Sequence, residues 1–228
     1  MSLPEDITTF SKKDNMKTTN QNLNQQNLRD SQTLTKPKIL AFAGSTRTDS
    51  LNKKLVKIAV NGAMDADVEV TFIDLRDFPM PLYDGDLEQQ EGLPANTRKL
   101  KDLMLTHQGF LISSPEYNSS ISGVLKNTID WTSRPSEGEP ILACFKNKVA
   151  GIMSASPGGF GGLRGLVHVR SILENIGVLV IPDQVAMTKA HEIFNSDGTM
   201  KNKTQEEQVK NIGACVAKIL IKLNSSTI

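Results

Sequence analysis

Chemistry-bearing side chains gather at one place early in the sequence, Gly44-Ser45-Thr46-Arg47-Thr48-Asp49-Ser50-Leu51-Asn52. Ser45, Ser50 and Asn52 can donate hydrogen bonds, and Arg47 adds a charged donor fork that matches a phosphate. The stretch follows an apolar run and precedes a helical pattern. Unpaired backbone N–H groups and the positive end of a helix dipole should therefore meet there. The pattern GxxxxGK[ST] is absent and so is GxGxxG, which removes the main support for a nucleoside triphosphate or dinucleotide cradle. A monophosphate needs only a compact, hydroxyl-rich loop of this kind. The plainer alternative is that Ser50 or Asp49 caps a helix and the rest is turn chemistry.

Two further stretches share the unusual composition. Ser113-Ser114-Pro115-Glu116-Tyr117-Asn118-Ser119-Ser120-Ile121-Ser122-Gly123 leaves an apolar run. Pro115 fixes its own φ and biases Ser114 to extended geometry, so the loop can present N–H groups edge-on to a planar heterocycle. Alternatively it is a turn in which Asn118 or Ser119 caps the next helix. Ser154-Ala155-Ser156-Pro157-Gly158-Gly159-Phe160-Gly161-Gly162 is glycine-rich, which permits close approach of backbone to a ligand and φ > 0. A flexible linker would also be glycine-rich.

The elements that must position these loops follow from periodicity. Apolar runs predict strands at Lys38–Ala43, Val68–Ile73, Gly109–Ser113, Lys148–Ser154 and Val178–Ile181. Helical spacing predicts helices at Leu51–Met64, Pro94–His107, Ile121–Trp131, Leu163–Ile176 and Gln205–Leu223. Five βα units with continuous apolar strands predict an α/β fold with a parallel sheet covered on both faces. Ligands of such sheets sit outside the carboxyl ends of the strands, where these three loops lie.

Composition narrows the function further. The 228 residues carry 26 Lys+Arg against 25 Asp+Glu, a net charge of +1, without the basic excess of a nucleic-acid surface. Apolar residues make up 38%, somewhat below the roughly 45–50% of a typical globular chain, a figure that also counts Gly. Residues 1–36 account for much of the shortfall and are expected to be a disordered polar tail, leaving 37–228 as one domain. No signal-peptide pattern and no membrane-length apolar run occurs, so a cytoplasmic protein is expected, with no membrane partner. Cys144 and Cys215 form no CxxC, and His107, His168 and His191 show no metal-ligand spacing. Those histidines are expected to serve surface or packing roles, and no metal is expected.

Gly44-Ser45-x-Arg47-x-x-Ser50-x-Asn52, then Pro115-Glu116-Tyr117-Asn118, then Gly123-x-Leu125-Lys126-Asn127-x-x-Asp130-Trp131 together resemble the NAD(P)H-dependent FMN reductase family of flavodoxin-like quinone, azo-dye and chromate reductases. The resemblance covers residues 38 to about 222. It implies a flavodoxin-like three-layer sandwich with strand order 2-1-3-4-5, FMN as cofactor and NAD(P)H as co-substrate. It assigns the FMN phosphate to Ser45, Arg47, Ser50 and Asn52, with Leu51 in the same loop. It also assigns the isoalloxazine to Pro115, Glu116, Tyr117 and Asn118, and its border to Ser156 and Gly158. Phe160 stands where the family usually carries an aliphatic residue, and it is a candidate wall of the acceptor pocket. Tyr83, in Phe78-Pro79-Met80-Pro81-Leu82-Tyr83-Asp84-Gly85, is a second candidate wall, or else anchors a surface turn. Arg134 and Arg164 are expected at an interface, on a nicotinamide phosphate or on the solvated surface. A homodimer or homotetramer is implied, with Trp131 either near the interface or in the core.

The resulting expectation is an FMN-dependent oxidoreductase. Hydride passes from nicotinamide to the flavin, and electrons then go to a quinone, azo compound, metal oxyanion or free flavin. No side chain need act as nucleophile or general base. The alternative is a flavodoxin-type electron carrier without nicotinamide turnover; Arg47 in the loop and the near-neutral charge favour the enzyme.

Overall fold

Buried apolar runs set the centre of the molecule. The computed structural model describes residues 36–225 and the backbone of Thr8–Phe10. In chain order the strands are β1 (Thr8–Phe10), β2 (Lys38–Ala43), β3 (Glu69–Phe72), β4 (Gly109–Ser113), β5 (Glu116–Tyr117), β6 (Ser120–Ile121), β7 (Val149–Ala155) and β8 (Leu179–Met187). The helices are α1 (Leu51–Asp65), α2 (Gly85–Glu91), α3 (Ala95–Thr106), α4 (Gly123–Thr132), α5 (Leu163–Asn175), α6 (Ala190–Ile193) and α7 (Lys203–Ser225). Every residue of β4 and β7 is buried, as the apolar runs require of strands covered on both faces.

The five parallel strands run β3-β2-β4-β7-β8, the predicted order. One apolar cluster packs α1 and α7 against one face of the sheet; a second packs α3, α4 and α5 against the other. The structure also adds a sixth strand. β1 pairs antiparallel with β3, Thr8 opposite Phe72 and Phe10 opposite Val70, within the segment expected to be a tail. The physical reason is that β3 otherwise presents an unpaired edge of N–H and C=O groups. Residues 1–7 and 11–35 of the expected tail lie outside the described residues.

Strand β8 is longer than the predicted Val178–Ile181. It continues through Pro182 because it pairs on one side only, with β7, and its register shifts between the partners of Ala150 and Ile152. An edge strand with a bulge tolerates a proline that a central strand would not.

His107 is buried at the end of α3, where Nε2 meets Thr71 Oγ1 at 2.8 Å and Nδ1 meets the Leu103 carbonyl at 2.5 Å. Burial pushes its pKa below 6.5, against a smaller upward pull from the Leu103 carbonyl. The unfolded chain therefore binds the proton more readily, so stability present above about pH 6.5 is lost as the pH falls below it. Melting temperature should drop between pH 7 and pH 5, and the drop should be smaller in His107→Gln. An identical pH profile in the variant would remove His107 from the account.

Candidate functional site

The loops after β2, β4 and β7 converge on one cleft lined by Ser45, Arg47, Ser50, Leu51, Asn52, Pro115, Glu116, Tyr117, Ala155, Ser156 and Pro157. Nine of the residues singled out from sequence are among these, and Ala155 and Pro157 are additions. Tertiary structure thus joins segments more than a hundred residues apart.

The first loop is built around the start of α1. Ser50 is the N-cap: its backbone is extended (φ −94°, ψ 122°), and its Oγ accepts from Lys53 N–H at 3.4 Å. Ser50 C=O accepts from Lys54 N–H, which leaves the N–H groups of Leu51 and Asn52 without intrahelical acceptors. The first turn of α1 contains no acidic residue to offset its dipole. Ser45 is buried, and its Oγ accepts from Arg47 N–H at 3.3 Å, which leaves the hydroxyl proton available. The exposed Arg47 guanidinium has no hydrogen bond or ion pair among the described residues. Two hydroxyls, two N–H groups, a helix terminus and an uncommitted guanidinium form a donor set that fits a phosphate monoester.

Asn52 lines the cleft but is already committed to protein groups. Its Nδ2 donates to Ala155 C=O at 2.9 Å, while its Oδ1 accepts from Ser113 Oγ at 2.8 Å and from Ala155 N–H at 3.0 Å. These bonds begin where the β4–β7 ladder stops. The carboxamide thus takes the place of a strand partner and locks the three loops together.

The second loop is a hairpin, and this differs from the turn read from sequence. β5 pairs with β6, and Asn118 and Ser119 at its tip take positive φ (51° and 63°), the geometry of a tight hairpin turn. Asn118 lies outside the cleft lining and caps no helix. That role belongs to Ser122, so α4 begins at Gly123 rather than Ile121. Ser122 Oγ accepts from Leu125 N–H at 3.3 Å and donates to Gly44 C=O at 2.6 Å, fastening this loop to the first. Ser122→Ala should cost about 1–2 kcal/mol of stability, from a lost cap and an unpaired buried carbonyl. Denaturant unfolding will read this directly; an unchanged midpoint would contradict the coupling.

Glu116 turns its carboxylate toward α5. It pairs with Arg164, whose Nε donates at 2.8 Å, and accepts from Gly165 N–H at 3.2 Å. Burial alone would raise its pKa, but the Arg164 and Gly165 bonds outweigh this and hold it below the ordinary glutamate value. Arg164 also lies over the ring of Phe160, 4.9 Å from the centroid.

In the third loop, Ser156 Oγ accepts from Gly158 N–H at 3.1 Å. Gly158 itself lies outside the lining, and a Cβ there would meet only Ser156 Oγ at 3.6 Å. The glycines that the backbone requires are Gly161, with φ +61° and a Cβ position 2.7 Å from the Ala186 carbonyl, and Gly162, with φ +91° and a Cβ position 1.8 Å from Ser154 Oγ. Phe160 is 63% exposed and outside the cleft lining.

Tyr83 also lies outside the cleft. Its ring packs edge-on against Trp131 (centroids 5.0 Å apart), its hydroxyl donates to Glu88 at 2.9 Å, and Arg134, paired with the same Glu88, lies over it. Trp131 is fully buried within the chain and donates from Nε1 to Pro81 C=O at 2.8 Å. Burial pushes the Cys144 thiol up to about 11, so it is no ready nucleophile. Among the described residues no group of His, Cys, Asp or Glu is arranged to hold a metal, and no helix is long and apolar enough to cross a membrane.

Residues 37–192 match the family described as NADPH-dependent FMN reductase. A probable NADPH:quinone oxidoreductase of Oryza sativa subsp. japonica is 35% identical over 185 residues, 78% of this chain and 87% of that protein. An NAD(P)H-dependent FMN reductase of Pseudomonas aeruginosa is 31% identical over 174 residues, 76% of this chain and 89% of that protein. The structure of FerB, a flavoenzyme NAD(P)H:(acceptor) oxidoreductase from Paracoccus denitrificans, superposes with a TM-score of 0.69 at 26% identity, covering 82% of this chain and 98% of that one. The chain belongs to the NADPH-dependent FMN reductase family and is an oxidoreductase of flavodoxin-like fold.

Proposed function

We propose that the protein is an NAD(P)H:quinone-type oxidoreductase holding FMN with its phosphate in the Ser45–Asn52 loop and its ring along Pro115–Tyr117 and Ser156–Pro157. The observation that carries this reading is the single cleft gathering the loops after β2, β4 and β7 at the start of α1. Bound FMN supplies the redox chemistry, taking hydride from a nicotinamide and handing electrons to an acceptor.

The protein's share is binding and positioning. Ser45 and Ser50 keep their hydroxyl protons for phosphate oxygens because both oxygens already accept backbone N–H bonds. The N–H groups of Leu51 and Asn52 complete the cradle, and Arg47 balances the dianion. Arg164 draws the Glu116 carboxylate toward α5, so its negative charge is paired there and not turned on the ligand. Asn118 acts at the rim through the positive φ it gives the hairpin, and Gly158 through its N–H, which holds Ser156 Oγ.

Quinone is the acceptor favoured by the name of the rice relative. Phe160, exposed at the edge of the third loop, is the proposed wall against which an acceptor rests. Tyr83 is assigned to the same pocket as completed by a neighbouring subunit. Exposed Leu163 and Val167 on α5 fit burial in a homodimer or homotetramer. The test is steady-state oxidation of NADPH and NADH by the FMN-loaded protein with a panel of quinones, azo dyes, chromate and free flavin. Quinone-dependent turnover is expected; a preference for another member of the panel would reassign the acceptor.

A further inference from the structure

Outside the cleft, a line of polar contacts reaches the phosphate loop from behind. Lys53, in the first turn of α1 and 8% exposed, makes an ion pair with Asp74. Asp74 follows β3 and caps the short 3-10 turn Leu75–Asp77, its Oδ1 accepting from Arg76 N–H at 3.0 Å. Arg76 Nε then donates to Thr46 C=O at 3.0 Å, across thirty residues of sequence. Thr46 lies between Ser45 and Arg47, the two residues whose donors must converge on one anion.

We propose that Lys53, Asp74 and Arg76 form a strut that sets the Thr46 carbonyl, and with it the conformation of the phosphate loop, without touching the ligand. This rests on the assignment of the FMN phosphate to that loop. The loop needs such a support because its own polar atoms are reserved. Ser45 Oγ and Ser50 Oγ each hold one backbone N–H, Thr48 is exposed, and the one side-chain tie the loop makes for itself among the described residues is the exposed Asp49–Lys54 ion pair at its far end, three residues beyond Thr46. No apolar side chain occurs between Ser45 and Ser50 to pin the segment by burial. A partly buried ion pair such as Lys53–Asp74 is weak as a source of net stability, but it can fix geometry. Here the Lys53 ammonium orients the Asp74 carboxylate, Asp74 orders the turn that carries Arg76, and Arg76 reaches the loop. These are positioning residues. Arg76 is exposed, so replacing it leaves the core intact.

Because the strut acts on the phosphate end of the site, its loss should weaken FMN and spare riboflavin, which has the same ring and no phosphate. A purely structural role would lower both affinities together. The measurement is quenching of flavin fluorescence by the full chain freed of flavin, titrated with FMN and with riboflavin. The proteins compared are the wild type, Arg76→Ala, Arg76→Lys and Asp74→Asn, with a melting curve for each. Arg76→Ala should bind FMN about tenfold more weakly, the scale of one lost hydrogen bond from a charged donor. Its riboflavin affinity should be unchanged. Arg76→Lys, which can still donate to Thr46, should recover part of the loss, and Asp74→Asn should weaken FMN in the same selective way. A wild type that prefers FMN, together with an Arg76→Ala variant that keeps that preference, overturns the strut alone. Equal losses for FMN and riboflavin overturn it as well. A wild type that binds both flavins equally overturns the phosphate assignment, and the strut with it.

Discussion

Asn52→Ala should unfold at a temperature roughly 6–12 °C below the wild type, the shift about 3 kcal/mol produces in a chain of this size. The deletion strips partners from Ala155 N–H, Ala155 C=O and Ser113 Oγ, all at the inner end of the cleft. Burial makes each loss expensive, because water cannot replace the carboxamide without opening the sheet; Asn52 is 4% exposed and Ser113 fully buried. Asn52→Asp separates geometry from shape. It keeps the acceptor for Ser113 and Ala155 N–H but turns an oxygen toward Ala155 C=O, so it should be destabilised as much as the alanine variant. Because this brace joins the first loop to the third, FMN affinity should fall in both variants. A normal melting temperature in either would show that the sheet end does not depend on this side chain.

Arg47→Ala has the opposite signature. Its guanidinium makes no hydrogen bond or ion pair among the described residues, so the variant without flavin should melt with the wild type. A charge-assisted fork on a phosphate contributes about 1.5–3 kcal/mol, so FMN affinity should fall roughly 10–100-fold. Solvent exposure favours the lower end of that range, and the difference between variant and wild type should shrink as salt is raised. A purified Arg47→Ala protein with stoichiometric FMN at wild-type affinity would exclude Arg47 from the phosphate site.

The contrast between Asn52 and Arg47 shows what the sequence could and could not reveal. Both looked like phosphate donors because both are polar and lie in one loop after the first parallel strand. For Arg47 the fold adds no hydrogen bond or ion pair among the described residues, so the local pattern stands as it was read. For Asn52 the deciding groups are Ser113 and Ala155, 61 and 103 residues away, and no periodicity reports them. The strands and most helices were legible because apolar runs and helical spacing carry the burial signal directly. The hairpin at Glu116–Ile121 was not, because two-residue strands have no period and their turn relies on Asn118 and Ser119 at positive φ rather than on glycine. Pro182 ended the prediction for β8 too early, since an edge position and a bulge cannot be inferred from one segment alone. The pairing of β1 with β3 joins segments about sixty residues apart and is likewise a tertiary choice. The glycine-rich loop is recognisable by composition, yet the positions that demand glycine are Gly161 and Gly162, not Gly158. Tyr83 and Trp131 carried two open readings each, and within the chain Trp131 is core while Tyr83 anchors the segment that crosses it.

FMN held in this cleft should be reducible by a nicotinamide and reoxidisable by a small acceptor. Anaerobic stopped-flow absorbance of the FMN-loaded protein tests both halves in turn. The flavin band should bleach on mixing with NADPH or NADH and return on mixing with a benzoquinone. A flavin band that stays oxidised with either nicotinamide would contradict the account and leave an electron carrier in its place.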